Sequence, residues 1–224
     1  QAVSSYFGIF DLCGFPKDSY YFYKSQWTSE PMVHLLPHWN WKEGQQIDVL
    51  AYTNCDEVKL YLNGQFLETK KLADTPKLSL RWKVPFRAGV LKAEGYKNGK
   101  LVAADVVKTA GDAAKIELLP DRSTINSDGK DLSFITVKIT DENGILVPDA
   151  DNLVHFELEG EGKIVGVGNG NPMSLEPAKG RERRAFSGMC QVIVQSTGNA
   201  GDIKLKASSL GLADAAVLIK TTKQ

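Results

Sequence analysis

The chain has 224 residues, enough for one large domain or two small ones that each bury a core. Its 27 Lys and Arg balance 27 Asp and Glu, so no global field draws it to DNA, RNA or an acidic membrane, and nucleic acid is not an expected partner. No apolar run reaches the ~18 to 20 residues of a membrane-spanning helix, so no membrane partner is expected either.

The opening QAVSSYFGIF has neither the basic n-region nor the clean apolar stretch of a signal peptide, and no initiator Met, so it reads as part of a longer chain. Tyr6, Phe7, Phe10, Phe15, Tyr20, Tyr21, Phe22, Tyr23 and Trp27 crowd into residues 1–30. After Pro16, KDSYYFYKSQW predicts a short helix that Asp18 or Ser19 can cap, because their side-chain oxygens accept free backbone N–H groups. Tyr20, Tyr23 and Trp27 fall on one face, and so short a helix must pack on something.

From about residue 45 the period changes to two. Ile47, Val49 and Ala51 alternate with polar or outward residues, as do Val58, Leu60 and Leu62. Asn63-Gly64 then predicts a type I′ hairpin turn. Leu78, Leu80, Trp82 and Val84 read as another strand, and two more flank a second turn at Asn98-Gly99. TAGDAA, residues 109–114, is small and polar and reads as a linker. Beyond it the alternation restarts at Ile116 and Leu118. It continues through Ile135, Val137 and Ile139, then Val154, Phe156 and Leu158. Phe186, Cys190, Val192 and Val194 share a face, as do Ile203, Leu205 and Ala207, and Ala215, Val217 and Ile219 close the chain. Short strands with frequent turn signals predict an all-β chain of immunoglobulin-like sandwiches, without the Cys-Trp-Cys signature of antibody domains.

The chemistry-bearing residues form no catalytic constellation. A retaining glycosidase needs two carboxylates facing across ~5 Å. Glu57, Glu68, Glu94, Glu117, Glu157 and Glu159 instead sit mostly at outward strand or turn positions. His34, His38 and His155 have no acid and nucleophile beside them. The glycines of GVGNGNP at residues 166–172 lack the helix a dinucleotide loop requires, so a bulged strand end or tight loop is the better reading. DENGILVPDAD lacks calcium-loop spacing and reads as a turn. Lys179, Arg181, Arg183 and Arg184 read as a solvated basic loop. Cys13, Cys55 and Cys190 are odd in number and far apart, which suggests buried small residues rather than a disulfide or metal site. Neither a metal nor a cofactor is expected. Trp39 and Trp41, in HLLPHWNW, are the candidate carbohydrate contacts, since an indole can stack on the apolar face of a pyranose. The competing reading makes both of them buried anchors between the helix and the first sandwich.

Taken in order, these segments resemble the C-terminal end of glycoside hydrolase family 2 enzymes of the β-galactosidase type. SSYFGIFDLCGFPKDSYYFYKSQW is similar to the last loop and last helix of their catalytic (β/α)₈ barrel. MVHLLPHWNWKEGQQIDVLAYTNCDEVKLYLNG is similar to the sandwich after it. KIELLPDRSTINSDGKDLSFITVKITDENG, VGVGNGNP and RRAFSGMCQVIVQS are similar to a further C-terminal sandwich. The resemblance implies three parts: residues 1–30 as the end of the barrel, 31–109 as the first sandwich and 114–224 as the second. It implies a parent enzyme that hydrolyses terminal β-galactosides or related β-glycosides with retention. Its two catalytic glutamates match nothing in this chain, so the chain alone is expected to be inactive. Ser5, Tyr6 and Phe7, just before Gly8, would fall in the barrel's last active-site loop. The implied partners are the parent's catalytic barrel and its glycan substrate, with a homo-oligomer as a further option. The resemblance to polysaccharide-degrading bacterial enzymes favours a periplasmic or extracellular location. The alternatives to an accessory role are a carbohydrate-binding module, using Trp39, Trp41 or Trp82, and an adhesin-like stalk.

Overall fold

The computed structural model describes residues 6–223, and the chain divides into two compact units. One runs from Pro16 to Ala110; the other joins the described residues before Pro16 to those from Gly111 onward. Both are sandwiches of β-sheets, so the all-β expectation holds. No helix among the described residues is long and apolar enough to cross a membrane.

The first unit begins with α1 (Asp18–Trp27), followed by β1 (Val33–Leu36), β2 (Gln46–Thr53), β3 (Glu57–Leu62), β4 (Gln65–Lys71), β5 (Leu80–Pro85), β6 (Val90–Lys97) and β7 (Lys100–Lys108). One sheet has the order β1-β2-β5 and the other β4-β3-β6-β7, all antiparallel. Strand alternation sends Ile47, Val49 and Ala51 inward from one sheet to meet Val58, Leu60 and Leu62 from the other. The turns at Asn63-Gly64 and Asn98-Gly99 hold both residues at positive φ, +52° and +79° in the first, +49° and +74° in the second. That is the type I′ geometry which matches strand twist. β1 packs on β6 and β7 and closes one side of the sandwich. β4 and β5 are therefore the free outer strands of the opposite side.

Two expectations about α1 fail. Neither Asp18 nor Ser19 caps it: the cap position is Lys17, which makes no side-chain cap bond, and Asp18 Oδ1 lies 3.1 Å from His34 Nε2 instead. The packed face is also not that of Tyr20, Tyr23 and Trp27. Tyr21 stacks on His34 with ring centroids 3.7 Å apart, Phe22 meets Tyr52 edge-on at 5.4 Å, and Ser25 is buried. Trp27 stays 79% exposed with Tyr23 against it at 5.0 Å. Aromatic residues surround this helix, so periodicity could not single out the face that His34 and Tyr52 receive.

The second unit contains β8 (Lys115–Pro120), β9 (Thr124–Asn126), β10 (Leu132–Thr140), β11 (Leu153–Gly160), β12 (Gly162–Gly168), β13 (Glu182–Arg184), β14 (Met189–Ser196), β15 (Gly201–Ser208) and β16 (Ala215–Thr222). Its sheets run β12-β14-β10-β8 and β13-β11-β15-β16-β9, with β9 parallel to β16 and the other neighbours antiparallel. Ile135, Val137 and Ile139 of one sheet and Phe156, Ile203, Leu205 and Ile219 of the other are buried between them. Cys190 is buried among them as a free thiol, and burial pushes its pKa far up.

Each unit fixes its own end of the residues read as a linker. Asn40 exchanges two hydrogen bonds with the backbone of Ala110, at 2.9 Å each. Gly111 N–H donates to Asp141 Oδ2 at 2.9 Å, and Asn143 and Ile145 donate to Asp141 Oδ1 at the same distance. These N–H groups, Gly111 and Ile145 foremost, hold the Asp141 carboxyl below the usual range.

Two measurements follow from this packing. Trp39 is fully buried, and Trp39→Ala should destabilise the first unit by about 3 to 5 kcal/mol in urea denaturation. Asp141 contributes stability that is complete above the ordinary Asp value of ~3.9 and is lost as the pH falls through its depressed value. Asp141→Asn should therefore flatten the rise of the second unit's melting temperature between roughly pH 2 and 5.

Candidate functional site

Trp39 and Trp41 occupy different environments. Trp39 Nε1 donates to Arg87 O at 3.1 Å, and its ring lies 5.3 Å from Phe86 inside the first core. Trp41 is half-buried; His38 stacks on it at 4.6 Å with only 8° between planes, and its Nε1 donates to His38 O at 2.8 Å. Trp39 thus has no free face, and one face of Trp41 is covered by an imidazole.

A more elaborate arrangement lies in the second unit, where the segment Tyr6–Phe15 meets the loop after β12. Asp11 Oδ1 accepts the N–H groups of Cys13 at 2.8 Å and Phe15 at 2.9 Å, which folds the segment into a tight turn. Gln191 of β14 donates its side-chain N–H to Cys13 O at 3.1 Å and fastens that turn to the sheet. The glycines of the β12 end make room for it. A Cβ on Gly168 would lie 2.8 Å from Cys13 Sγ, and one on Gly170 would lie 2.0 Å from Asp11 Oδ2. Gly170 also holds φ at +72°. The glycine-rich motif is thus a bulged strand end, with its irregularity between Ile164 and Gly166, and it serves close approach of a chain segment. Burial, with the Asp11 carboxylate second, pushes the Cys13 thiol up to about 11, which leaves it protonated at neutral pH.

Arg183 holds the other side of the loop. Its Nη1 donates to the carbonyls of Glu176 at 3.0 Å and Pro177 at 3.3 Å, and its Nη2 to Asn169 Oδ1 and Ser174 Oγ, both at 3.3 Å. Asn169 is itself buried and donates to Arg184 O at 2.9 Å. The expectation of a solvated basic loop therefore fails at Arg183, which is 7% exposed. β13 is short, and its alternation turns the middle residue inward while Glu182 and Arg184 stay exposed. One signal was present: Ala185, two residues on, is buried as well.

The clamped loop presents Met173 and Leu175 to solvent, and Tyr6 Oη donates to Met173 Sδ at 3.0 Å. Tyr6 and Phe7 are exposed too, while Ser5 lies outside the described residues. The result is an apolar, aromatic rim with hydrogen-bonded supports beneath it. Among the described residues no group of three or more His, Cys, Asp or Glu is placed to hold a metal.

Comparison with known proteins identifies the class. Residues 116–218 match the family model for glycoside hydrolase family 2 C-terminal domain 5, and residues 44–103 match a domain of unknown function. The Bacteroides ovatus β-galactosidase BoGH2A is 50% identical over 97% of this chain and 26% of its own length. A putative β-glucuronidase of Formosa agariphila is 38% identical over 74% of this chain and 16% of its own length. The crystal structure of a β-glycosidase from Bacteroides vulgatus superposes with a TM-score of 0.92 at 38% identity, covering 96% of this chain and 28% of that one. The chain belongs to glycoside hydrolase family 2, in its C-terminal sandwich region. It spans about a quarter of the length of the β-galactosidase it matches.

Arg183→Met should leave the loop carbonyls of Glu176 and Pro177 without their side-chain donor and cost about 2 to 3 kcal/mol of second-unit stability in chemical denaturation. Arg183→Lys should recover only part of this, because an ammonium cannot span the planar fork's four acceptors.

Proposed function

We propose that this chain is a non-catalytic accessory region of a glycoside hydrolase that cleaves terminal β-glycosides, with β-galactosides the first candidates. Its sandwiches support a catalytic (β/α)₈ barrel, and the second one shapes substrate access. The observation that carries this reading is the anchoring of Tyr6–Phe15. The segment that resembles the barrel's last active-site loop is folded by Asp11, fastened to the sandwich by Gln191 and fitted against the glycines of the β12 end, and Tyr6 bonds Met173. A sandwich that grips this loop can fix its position relative to a substrate. Trp27 and Tyr23 on α1 and Phe7 and Leu12 in the loop are exposed, and apolar surface of this kind is usually covered by a partner. The barrel is the partner this reading supplies. The names of the relatives, a β-galactosidase and a putative β-glucuronidase, support β-glycoside chemistry and do not separate the two sugars.

A chimera tests the proposal. The C-terminal quarter of the Bacteroides ovatus β-galactosidase is replaced by this chain, and turnover of aryl β-galactosides is measured beside a truncation and beside the 224-residue chain alone. The chimera should turn over, the truncation should lose activity and thermal stability, and the chain alone should match the buffer blank. Tyr6→Ala in the chimera should lower kcat/KM about tenfold, mainly through KM. Turnover by the chain alone, abolished by mutating one of its own glutamates, would overturn the reading, and so would a truncation as active and stable as the whole.

A further inference from the structure

The loop clamped by Arg183 carries at its tip a thioether with a specific neighbour. The chain has three methionines, at 32, 173 and 189. Met32 is buried in the first unit and Met189 is half-buried on β14, whereas Met173 is 51% exposed and lies outside the core between the sheets. Tyr6 Oη donates to Met173 Sδ at 3.0 Å. The acceptor in such a bond is a sulfur lone pair. A thioether offers the same kind of lone pair to an oxidant.

The backbone on both sides of Met173 is fixed. Its N–H donates to Asn171 Oδ1 at 2.9 Å, and Asn171 N–H donates to Asn169 Oδ1 at 3.1 Å. Ser174 N–H donates to Asn171 O at 3.1 Å, and Ser174 Oγ accepts from Arg183 Nη2 at 3.3 Å. The sulfur therefore sits on a rigid base. Across from it, Tyr6 is the first described residue of the segment that Gln191 fastens further along, at Cys13. The bond to Met173 adds a hold nearer the start of that segment.

A residue that only offers apolar cover needs no sulfur. Leu175, in the same loop and 84% exposed, already offers it. What methionine adds is a polarizable sulfur on a flexible stem, and oxidation turns that apolar side chain into a polar, chiral one. An exposed methionine without a specific contact would oxidise with no structural consequence. Here the oxidisable atom is itself the hydrogen-bond acceptor.

We propose that Met173 is a site of reversible oxidation by peroxides, and that its oxidation releases Tyr6 from the loop. A lone pair of Sδ attacks one oxygen of hydrogen peroxide. The S–O bond forms as the O–O bond breaks, the sulfur is oxidised to the sulfoxide, and the peroxide is reduced. The proton on the transferred oxygen passes to the departing hydroxide, which leaves as water. An oxidised sulfur is a poor acceptor through its remaining lone pair, so the Oη–Sδ bond is lost. The loop backbone cannot follow, and the adjustment falls on the Met173 side chain and on Tyr6. Sulfoxide reductases reverse the change. The inference rests on the contact between Tyr6 and Met173, not on the support role.

Dilute hydrogen peroxide on the 224-residue chain tests this, read by peptide mass mapping and by magnetic resonance of labelled methionine methyl groups. Met173 should take up oxygen at least about fivefold faster than Met32 or Met189, following its exposure. The magnetisation transfer between the Met173 methyl group and the Tyr6 ring should fall at least about threefold on oxidation and recover under methionine sulfoxide reductase. Tyr6→Phe, which frees the sulfur lone pair, should speed oxidation of Met173 about twofold. Met173→Leu should leave the Tyr6 ring signals indifferent to peroxide and the thermal midpoint unchanged, because the side chain lies outside the core. Equal oxidation of the three methionines, a rate unmoved by Tyr6→Phe, or an unaltered Tyr6 contact once Met173 is fully oxidised would overturn the proposal. No barrel is present in these measurements, so the support role stands or falls separately, with the chimera.

Discussion

Trp82, Val49 and Ile47 in one sheet press against Leu60, Leu62 and Leu91 in the other, and this contact between two apolar sheet faces sets the remaining features of the first unit. Each strand exposes one face to solvent and must bury the other, so neither sheet is stable without its partner. The same requirement produces the second unit, where Ile135, Val137 and Val192 meet Phe156, Leu205 and Ile219. With the interior committed to packing, functional side chains are left to edges, loops and outer faces. The loop site hangs from the end of β12.

The loop site shows how a packed frame positions a mobile kind of element. Glycine at 168 and 170 lets Cys13 and Asp11 come within contact distance of a strand end, and side-chain hydrogen bonds replace those that a longer sheet would supply. Arg183 performs the equivalent task from below. A buried guanidinium is costly unless it is paired and hydrogen-bonded; here loop carbonyls, Asn169 and Ser174 accept from Nη1 and Nη2, while Nε has only the Glu176 carboxylate 3.7 Å away. The loop geometry and the buried charge therefore depend on each other, and Tyr6 and Met173 are presented on a supported rim rather than a floppy tip.

Helix α1 follows a different logic. Its inner face is fixed by the stack of Tyr21 on His34, which Asp18 contacts from within the helix. His34 Nδ1 also lies 3.7 Å from Asp105 of β7, so one imidazole connects the helix to both sheets. The outer face, with Trp27 and Tyr23, stays in solvent.

The sequence by itself determined the all-β class, the two I′ turns at Asn63-Gly64 and Asn98-Gly99, and the inward residues of the long strands. Each of these depends on neighbours a few positions apart, on period-two alternation or on residues that tolerate positive φ. The order of its motifs also carried the family. Short elements were not legible: β1, β9 and β13 span 4, 3 and 3 residues, too few for a period to show. Arg183 looked like one more solvated cation because its acceptors lie in a loop 6 to 14 residues away, and no local pattern marks them. The helix face was undetermined for a related reason, since Tyr21 and Phe22 are distinguished from Tyr20 and Tyr23 only by where His34 and Tyr52 stand. The glycines of the β12 end, likewise, acquire their purpose only when residues 11–13, more than 150 positions earlier, arrive against them. Tertiary structure decided these points because contacts between segments distant in the chain, rather than local conformational preference, supply the energy that selects them.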